Sequence, residues 1–179
     1  MNVFYLPTAQ LGIISFPEEE SKHIVKVLRM KEGDCFCVTD GKGSMFDAEL
    51  VDAHPKRATA NLTNQRNGYD IRDFKLSIAI APTKLNERTE WFLEKATEIG
   101  IDEVKLFASY HSERRVANVE RFKKIVVAAM KQSVKSKMPV VEDIVPFEKL
   151  VKQDFDGQKF IAWIDDDVKE QLCAPQQSY

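Results

Sequence analysis

Four cations stand in or beside two segments that follow predicted strands. Lys84 and Arg88 come after the apolar run 74–81, and Arg114 and Arg115 come after the next apolar run along the chain. Because the carboxyl ends of parallel strands meet at one edge of a sheet, these cations are expected to share a rim. Phosphate is the natural ligand for such a rim. A solvated surface is the better interpretation of any single lysine, but the arginines taken together favour an anion-binding role.

The helix predicted over 119–137 would extend this rim into a track. Segment 114–137 contains eight cations and one acid, Glu120, a net charge of +7, while the whole chain has a net charge of -2. The overall charge therefore gives no indication of nucleic-acid binding, and only the local distribution does. A lysine-bearing helix beside arginine loops is typical of a surface that follows a phosphate backbone.

Other kinds of chemistry find weaker support in the sequence. Segment 111–113, His-Ser-Glu, suggests a hydrolase, but no Gly-x-Ser-x-Gly motif surrounds the serine and sequence neighbours rarely form a triad. Cys35 and Cys37 have no second Cys or His pair at a matching spacing, so no metal site is expected. A nucleotide-handling α/β enzyme would need a phosphate loop, and the sequence has neither a Walker motif nor Gly-x-Gly-x-x-Gly.

The amino-terminal part of the chain predicts a small antiparallel barrel. Apolar and polar residues alternate in short runs that are separated by glycine-containing turns, as at 40–43 and 67–68. One helix is predicted after Pro17, with an apolar face made by Ile24, Val25, Val27 and Leu28. The polar stretch 64–73 is interpreted as a linker between two domains, which gives a barrel domain at 1–70 and a second domain at 71–179.

The second domain alternates predicted strands and helices, the pattern of a parallel sheet with right-handed crossovers. Segment 74–81 is expected to be a strand buried on both faces. Asn86 is the expected N-cap of the next helix, whose apolar face is Phe92, Leu93, Ala96 and Ile99 and whose end is Gly100. The remaining elements are predicted as strands at 104–107, 139–144 and 159–164 and helices at 119–137 and 147–153.

Five segments taken together closely resemble the RsmE-type 16S rRNA (uracil-N3) methyltransferases of the SPOUT class. They are HIVKVLRMKEGD (23–34), TDGKG (39–43), KATEIGID (95–102), SERRV (112–116) and AAMKQSVKSKMP (128–139). The resemblance covers the whole chain with the motifs in the family's order. It implies an α+β chain in which a PUA-like antiparallel β-barrel for RNA docking precedes an incomplete SPOUT-type α/β domain with a parallel sheet.

The same resemblance implies an activity and a set of site residues. The expected reaction is S-adenosylmethionine-dependent N3-methylation of a specific uridine in the small ribosomal subunit, by a homodimer. Independently of the resemblance, the odd number of cysteines without a signal peptide favours a reducing cytoplasm, and no apolar run is long enough to predict a membrane span. Arg114 and Glu113 are the expected catalytic residues, the arginine stabilising the uracil anion and the glutamate orienting it or acting as base. The expected RNA-binding residues are His23 and Arg29 on the barrel and Lys84, Arg88, Arg115, Lys131, Gln132 and Lys135 on the second domain.

Two departures from the family's pattern qualify this expectation. Lys135 stands where the family often has an arginine, which keeps the charge but loses the bidentate fork. The family's Gly-Pro-Glu-Gly-Gly loop and its Leu-Gly-x-x-x-Leu-Arg-x-Glu-Thr-Ala segment, which form the knot and the cofactor pocket, do not occur in the 179 residues. We therefore expect a truncated, inactive form in which no position binds S-adenosylmethionine. The alternative interpretation is a non-catalytic RNA-binding module.

Overall fold

The computed structural model describes residues 2–69 and 72–162. A five-stranded sheet forms the amino-terminal domain, and a parallel sheet with helices packed against it forms the second domain. The predicted combination of a β-sheet domain followed by a parallel-sheet domain is confirmed.

The first domain is a curled sheet around one hydrophobic core. The strands are β1 (Val3–Tyr5), β2 (Gly12–Ser15), β3 (Cys35–Thr39), β4 (Ser44–Asp52) and β5 (Thr59–Asn67). Their order in the sheet is β1-β3-β4-β5-β2, with β1 parallel to β3 and the other neighbours antiparallel. Phe4 of β1 and Phe16, the residue after β2, meet in the core with their rings 5.9 Å apart. Because β5 continues through Asn67, the first residues of the predicted linker belong to this sheet.

The helix after Pro17 is not a uniform α-helix, and the prediction for its apolar face is half wrong. Helix α1 (Glu18–Lys22) continues into a π-helical turn, His23–Val27. A π turn contains more residues than an α turn, so it rotates the side chains that follow it away from their expected face. Ile24 is fully buried, whereas Val27 and Leu28 are 68% and 37% exposed.

The second domain places two helices on one face of its sheet. The elements are β6 (Ser77–Ile80), α2 (Asn86–Ile99), β7 (Glu103–Ala108), α3 (Val119–Gln132), β8 (Val140–Val141), β9 (Val145–Pro146) and α4 (Phe147–Val151). Strands β6, β7 and β8 lie side by side in parallel, and β9 pairs in parallel with the end of β7. Leu93 of α2, Val104 and Leu106 of β7 and Val126 of α3 form the centre of the core.

Several predicted details of this domain are wrong. Strand β6 is half-buried with Ala79 exposed, and among the described residues it pairs on one side, with β7. Asn86 is the first residue of α2 and not its cap, and Ile99 is 71% exposed. Helix α3 ends at Gln132, and Val134 follows with a positive φ of 56° that no α-helix contains. The described residues 159–162 of the predicted last strand are not in a strand, and residues 163 and 164 lie outside the described part.

A short segment after α3, residues 133–138, joins the two domains, and we refer to it as the joint. The carbonyl oxygen of Ser136 accepts hydrogen bonds from Thr39 Oγ1 at 2.9 Å and from the Gly43 amide at 3.1 Å. The Met138 amide donates to the Gly41 carbonyl at 2.9 Å. Val134 packs beside the small barrel cluster of Val3, Cys37 and Met45. The joint therefore fixes the second domain against the turn that connects β3 to β4.

Candidate nucleic-acid interface

The loop after β6 is held in place by threonines. The Thr83 amide donates to Thr89 Oγ1 at 3.1 Å, and Thr83 Oγ1 donates to the Leu85 carbonyl at 2.7 Å. Thr89 is buried in the first turn of α2, so it ties the loop to the helix. Leu85 occupies the N-cap position of α2, and its side chain makes no capping hydrogen bond. The hydrogen bonds of Thr83 hold the start of the helix, which is the role predicted for Asn86.

The loop after β7 is ordered by a pair of serines and a helix cap. The Ser109 amide donates to Ser112 Oγ at 2.8 Å, and the two hydroxyl oxygens lie 3.0 Å apart. At the other end, Asn118 Oδ1 accepts from the Arg121 amide at 3.0 Å and starts α3. Ser112 is engaged in this turn, so it is a structural residue of the loop, and Tyr110 is left 85% exposed at the tip.

Arg114 connects the two loops. Its Nε atom donates to the Lys84 carbonyl at 2.8 Å, and Lys84 Nζ lies 3.5 Å from Glu113 Oε2. The charge pair is well exposed on both sides and contributes little energy. These contacts bring together Lys84, Glu113 and Arg114, of which the strand-end argument includes Lys84 and Arg114 but not Glu113.

Arg115 points to a different place. It lines a cavity of ≈ 240 Å³ at the carboxyl ends of β7 and β9. Ser109, Tyr110 and Glu148 contribute the other polar groups of this cavity, and Ala108, Ile144, Val145 and Pro146 contribute its apolar surface. The rim thus divides, with Lys84 and Arg114 on the β6 side and Arg115 on the β9 side.

The helices add exposed cations beside the rim. Arg88 in the first turn of α2 and Lys124 of α3 are exposed. Arg121 extends from α3 to α2, where its Nε atom lies 2.7 Å from Glu90 Oε1. Arg121 therefore links two helices, whereas Arg88 and Lys124 present their charge to solvent.

The predicted track does not continue as a row of free lysines to the end of α3. Lys131 Nζ lies 2.7 Å from Glu20 Oε1 and 5.6 Å from the centre of the Phe4 ring, with only 18% of the side chain exposed. Lys131 is thus a contact between the domains. Gln132 is exposed at the last position of α3, and Lys135 is half-buried in the joint near Gly100.

The two predicted barrel residues lie in different environments. The His23 ring packs against Phe4 at 6.0 Å, and its Nδ1 atom is 3.9 Å from Glu20 Oε2. His23 therefore belongs to the cluster where α1 meets Lys131. Arg29 is exposed and has a positive φ of 54°.

The sequence does not reveal the structural role of two of the five segments that carry the family resemblance. Residues 39–43 and 133–138 bind each other at the joint and hold the domains together. Asp102 supports the joint because its carboxylate is 2.6 Å from Lys137 Nζ and accepts from the Leu76 amide at 2.8 Å. Burial would raise the pKa of the Asp102 carboxyl, but the hydrogen bonds from Lys137 and Leu76 and the charges of Lys137 and Arg72 hold the pKa below its ordinary value.

The fold and the cationic rim define a two-domain protein of the kind that couples a PUA-type barrel to a parallel-sheet domain. An RNA methyltransferase domain model matches residues 71–178, and an RNA methyltransferase PUA domain model matches residues 16–63. The first match alone covers more than half of the chain. The chain belongs to the RNA methyltransferase domain family, and the resemblance stated from its motifs is confirmed.

Individual relatives agree with this assignment. The chain is 29% identical over 153 residues to the ribosomal RNA small subunit methyltransferase E of Bacillus subtilis, covering 79% of this chain and 58% of that protein. A probable rRNA-methyltransferase from Porphyromonas gingivalis superposes with a TM-score of 0.78 at 41% identity, over 84% of this chain and 63% of that one. The ribosomal RNA small subunit methyltransferase E of Neisseria gonorrhoeae, solved bound to S-adenosyl methionine, gives a TM-score of 0.72 at 27% identity, over 86% and 66%.

The chain spans less than two thirds of the length of each of these three relatives. Within residues 2–69 and 72–162, no helix is long and apolar enough to cross a membrane. The same residues contain no group of three or more His, Cys, Asp or Glu side chains placed to hold a metal ion.

Proposed function

We propose that this chain is the barrel and substrate-side scaffold of an S-adenosylmethionine-dependent enzyme that methylates N3 of one uridine in 16S rRNA. The observation that carries the proposal is the pair of domain matches, RNA methyltransferase at 71–178 and its PUA domain at 16–63. The rim cations supply the chemistry that an RNA substrate requires. A homodimer in the cytoplasm is part of the same proposal.

The proposed reaction explains why cations stand at the strand ends. N3 of uracil carries a proton on the Watson–Crick edge, so the base must be unpaired before a methyl group can reach it. Loss of that proton places negative charge on the ring, and a nearby guanidinium stabilises it. Arg114 is the proposed stabilising residue, with Glu113 as the group that orients it or accepts the proton.

The remaining cations divide by environment. Lys84, Arg88 and Arg115 are proposed to bind backbone phosphates, because they stand at the exposed rim. Gln132 and Lys135 are proposed to contact RNA near the end of α3, and His23 and Arg29 to do so on the barrel. Lys131 keeps its proposed place on the RNA side, but its ion pair with Glu20 favours a supporting role. S-adenosylmethionine is assigned to no residue of the described chain.

The experiment is a methyl-transfer assay with radiolabelled S-adenosylmethionine on assembled small subunits that lack the modification. The protein that contains this chain is expected to label 16S rRNA at one uridine, detected by digestion and chromatography of the nucleosides as 3-methyluridine. Arg114→Lys is the matched variant because it keeps the charge and loses the planar fork. Labelling at another base or another atom would contradict the proposed reaction.

A non-catalytic RNA-binding module remains the second candidate. It is favoured by the exposed cations Arg88, Arg115 and Lys124, because contact with RNA phosphates explains them without any methyl transfer. It predicts that RNA binds with the expected salt dependence while no methyl group is transferred under any of the assay conditions.

A further inference from the structure

The cavity at the carboxyl ends of β7 and β9, which we call the β9 cavity, is lined by an acid as well as a cation. Arg115 and Glu148 both border its volume of ≈ 240 Å³. Arg115 suits a phosphate, but a carboxylate repels one. Glu148 therefore indicates that the β9 cavity receives a group that donates hydrogen bonds, and not a phosphate alone.

Glu148 has a fixed position in the fold. It is the second residue of α4, and the ring of Phe147 before it packs against the Phe107 ring of β7 at 5.3 Å. Strand β9 leads directly into α4 and pairs in parallel with the end of β7. Beyond the other end of α4, Gln153 Oε1 accepts from Lys105 Nζ at 3.3 Å. The sheet therefore holds the backbone that carries the carboxylate before and after the helix.

The other polar side chains of the β9 cavity leave Glu148 as its free acceptor. Ser109 Oγ lies 3.0 Å from Ser112 Oγ, so this hydroxyl is used inside the loop. Tyr110 is 85% exposed and brings an aromatic ring to the cavity. Glu148 and Arg115 are both exposed, and no ion pair joins them within the described residues. A ligand can thus reach an acceptor and a cation at the same time.

Guanine is the base whose edge best matches a single carboxylate. Its Watson–Crick edge presents two neighbouring donors, N1–H and the N2 amino group, and the two oxygens of a carboxylate accept both. In uracil, cytosine and adenine the donor on this edge stands beside an acceptor, which a carboxylate repels. Apolar and aromatic side chains suit the faces of an unpaired base. The apolar surface of the β9 cavity consists of Ala108, Ile144, Val145 and Pro146.

We propose that the β9 cavity binds an unpaired guanosine nucleotide. The Glu148 carboxylate accepts from N1 and N2 of the base, and Arg115 binds a phosphate of the same nucleotide. The proposal rests on the proposed function for the placement of this guanosine in the RNA near the target uridine, and a free guanine nucleotide offers the same chemistry. It makes Glu148 a specificity-determining residue, which the rim cations are not, because phosphates carry no sequence information.

Changes of single groups in an RNA probe test this contact. The probes are fluorescein-labelled oligouridine, the same oligomer with one central guanosine, and the same oligomer with one central inosine, which lacks the N2 amino group. Anisotropy measured with this chain at one salt concentration is expected to show roughly tenfold tighter binding of the guanosine probe than of oligouridine. The inosine probe is expected to lie between them, because inosine keeps N1–H and loses the second donor.

Glu148→Gln is the decisive variant. It keeps the size of the side chain and removes the paired acceptors, so the preference for guanosine is expected to disappear while the affinity for oligouridine does not fall. The midpoint of urea unfolding is expected to stay unchanged, because Glu148 is exposed. Glu142→Gln is the matched control, since Glu142 is an exposed acid that does not line the cavity, and it should keep the preference. A guanosine preference that survives in Glu148→Gln would overturn the proposal.

Calorimetry with GMP and UMP identifies the source of the nucleotide. A guanosine preference among the oligomers assigns the cavity to RNA. Binding of GMP but not UMP that depends on Glu148, without a preference among the oligomers, assigns it to a free guanine nucleotide. A wild type that shows neither preference overturns the proposal.

These binding results are independent of catalysis. If the protein that contains this chain methylates rRNA but this chain has no guanosine preference, the proposed function stands and the guanosine site fails. If no methyl group is transferred but the preference depends on Glu148, the guanosine site stands and the proposed reaction fails.

Discussion

The joint and the rim are built from the same residue types but behave differently. Lys137 of the joint and Lys131 of the neighbouring α3 each lie within 2.7 Å of a carboxylate, and Ser136 of the joint is completely buried. At the rim, the Lys84–Glu113 pair is 3.5 Å long and mostly exposed, and Arg88 and Arg115 are exposed. The comparison shows that lysine and arginine content alone does not identify an RNA surface. Burial and the partner of each cation decide whether it supports the fold or faces a ligand.

The largest effect on the joint is expected from Gly41→Ala. Gly41 has a φ of +71°, and an added Cβ would lie 2.7 Å from Tyr5 Cε2. The left-handed backbone and the overlap together are expected to destabilise the protein by about 2–4 kcal/mol in urea unfolding. Gly33→Ala is the control, because Gly33 has a φ of +88° with nothing within 4 Å of the added atom. The control substitution should lower the free energy of unfolding by only about 1–2 kcal/mol. Equal destabilisation by the two substitutions would contradict a special role of the β3–β4 turn.

A smaller loss is expected from Asp102→Asn, which removes the carboxylate that holds Lys137. We expect a destabilisation of roughly 1–3 kcal/mol at neutral pH. The lowered pKa of Asp102 means that its stabilisation is complete above the unfolded pKa of about 3.9 and is lost as the pH falls through the lower folded pKa. The wild-type stability should therefore fall more steeply than that of the variant below about pH 4. If the stabilities of the wild type and the variant, measured by urea unfolding at several pH values, fell in parallel, this role of the Asp102 carboxylate would be contradicted.

Substitutions at the rim are expected to change RNA binding while leaving the stability of the protein nearly unchanged. Arg114→Ala with Arg115→Ala should change the stability by less than about 1 kcal/mol, since within the described part of the chain the pair loses one hydrogen bond, to the Lys84 carbonyl. The same double variant should weaken RNA binding and make its salt dependence shallower, as removal of phosphate contacts does. An unchanged salt slope would show that these arginines do not contact the RNA backbone.

The parts of the fold that local pattern determines could be predicted from the sequence. Alternation located β4 and β5, and Gly100 ends α2 in the left-handed conformation that a C-terminal glycine favours. The π turn was not predicted, because a hydrophobic stripe of period 3.6 carries no sign of an inserted residue. For this reason the sequence predicts Val27 and Leu28 in the core, whereas both side chains are exposed in the structure.

The joint could not be predicted for a different reason. Thr39 and Ser136 are 97 residues apart in the chain, and their hydrogen bond leaves no local pattern in either segment. Lys131 looks like a member of the α3 cation series until Glu20 is brought beside it by the packing of α1. The proximity of Lys84 and Arg114 could be predicted, because parallel-sheet topology places the ends of β6 and β7 side by side.

The most direct test of this account compares Lys131→Met with Arg115→Met in one experiment. Urea unfolding and salt-dependent binding of the same labelled RNA would be measured for both variants and the wild type. The account predicts that Lys131→Met loses roughly 1–3 kcal/mol of stability and keeps the salt slope, while Arg115→Met keeps the stability and has a shallower slope. A shallower salt slope in Lys131→Met with full stability would contradict the distinction between cations that hold the domains together and cations of the rim.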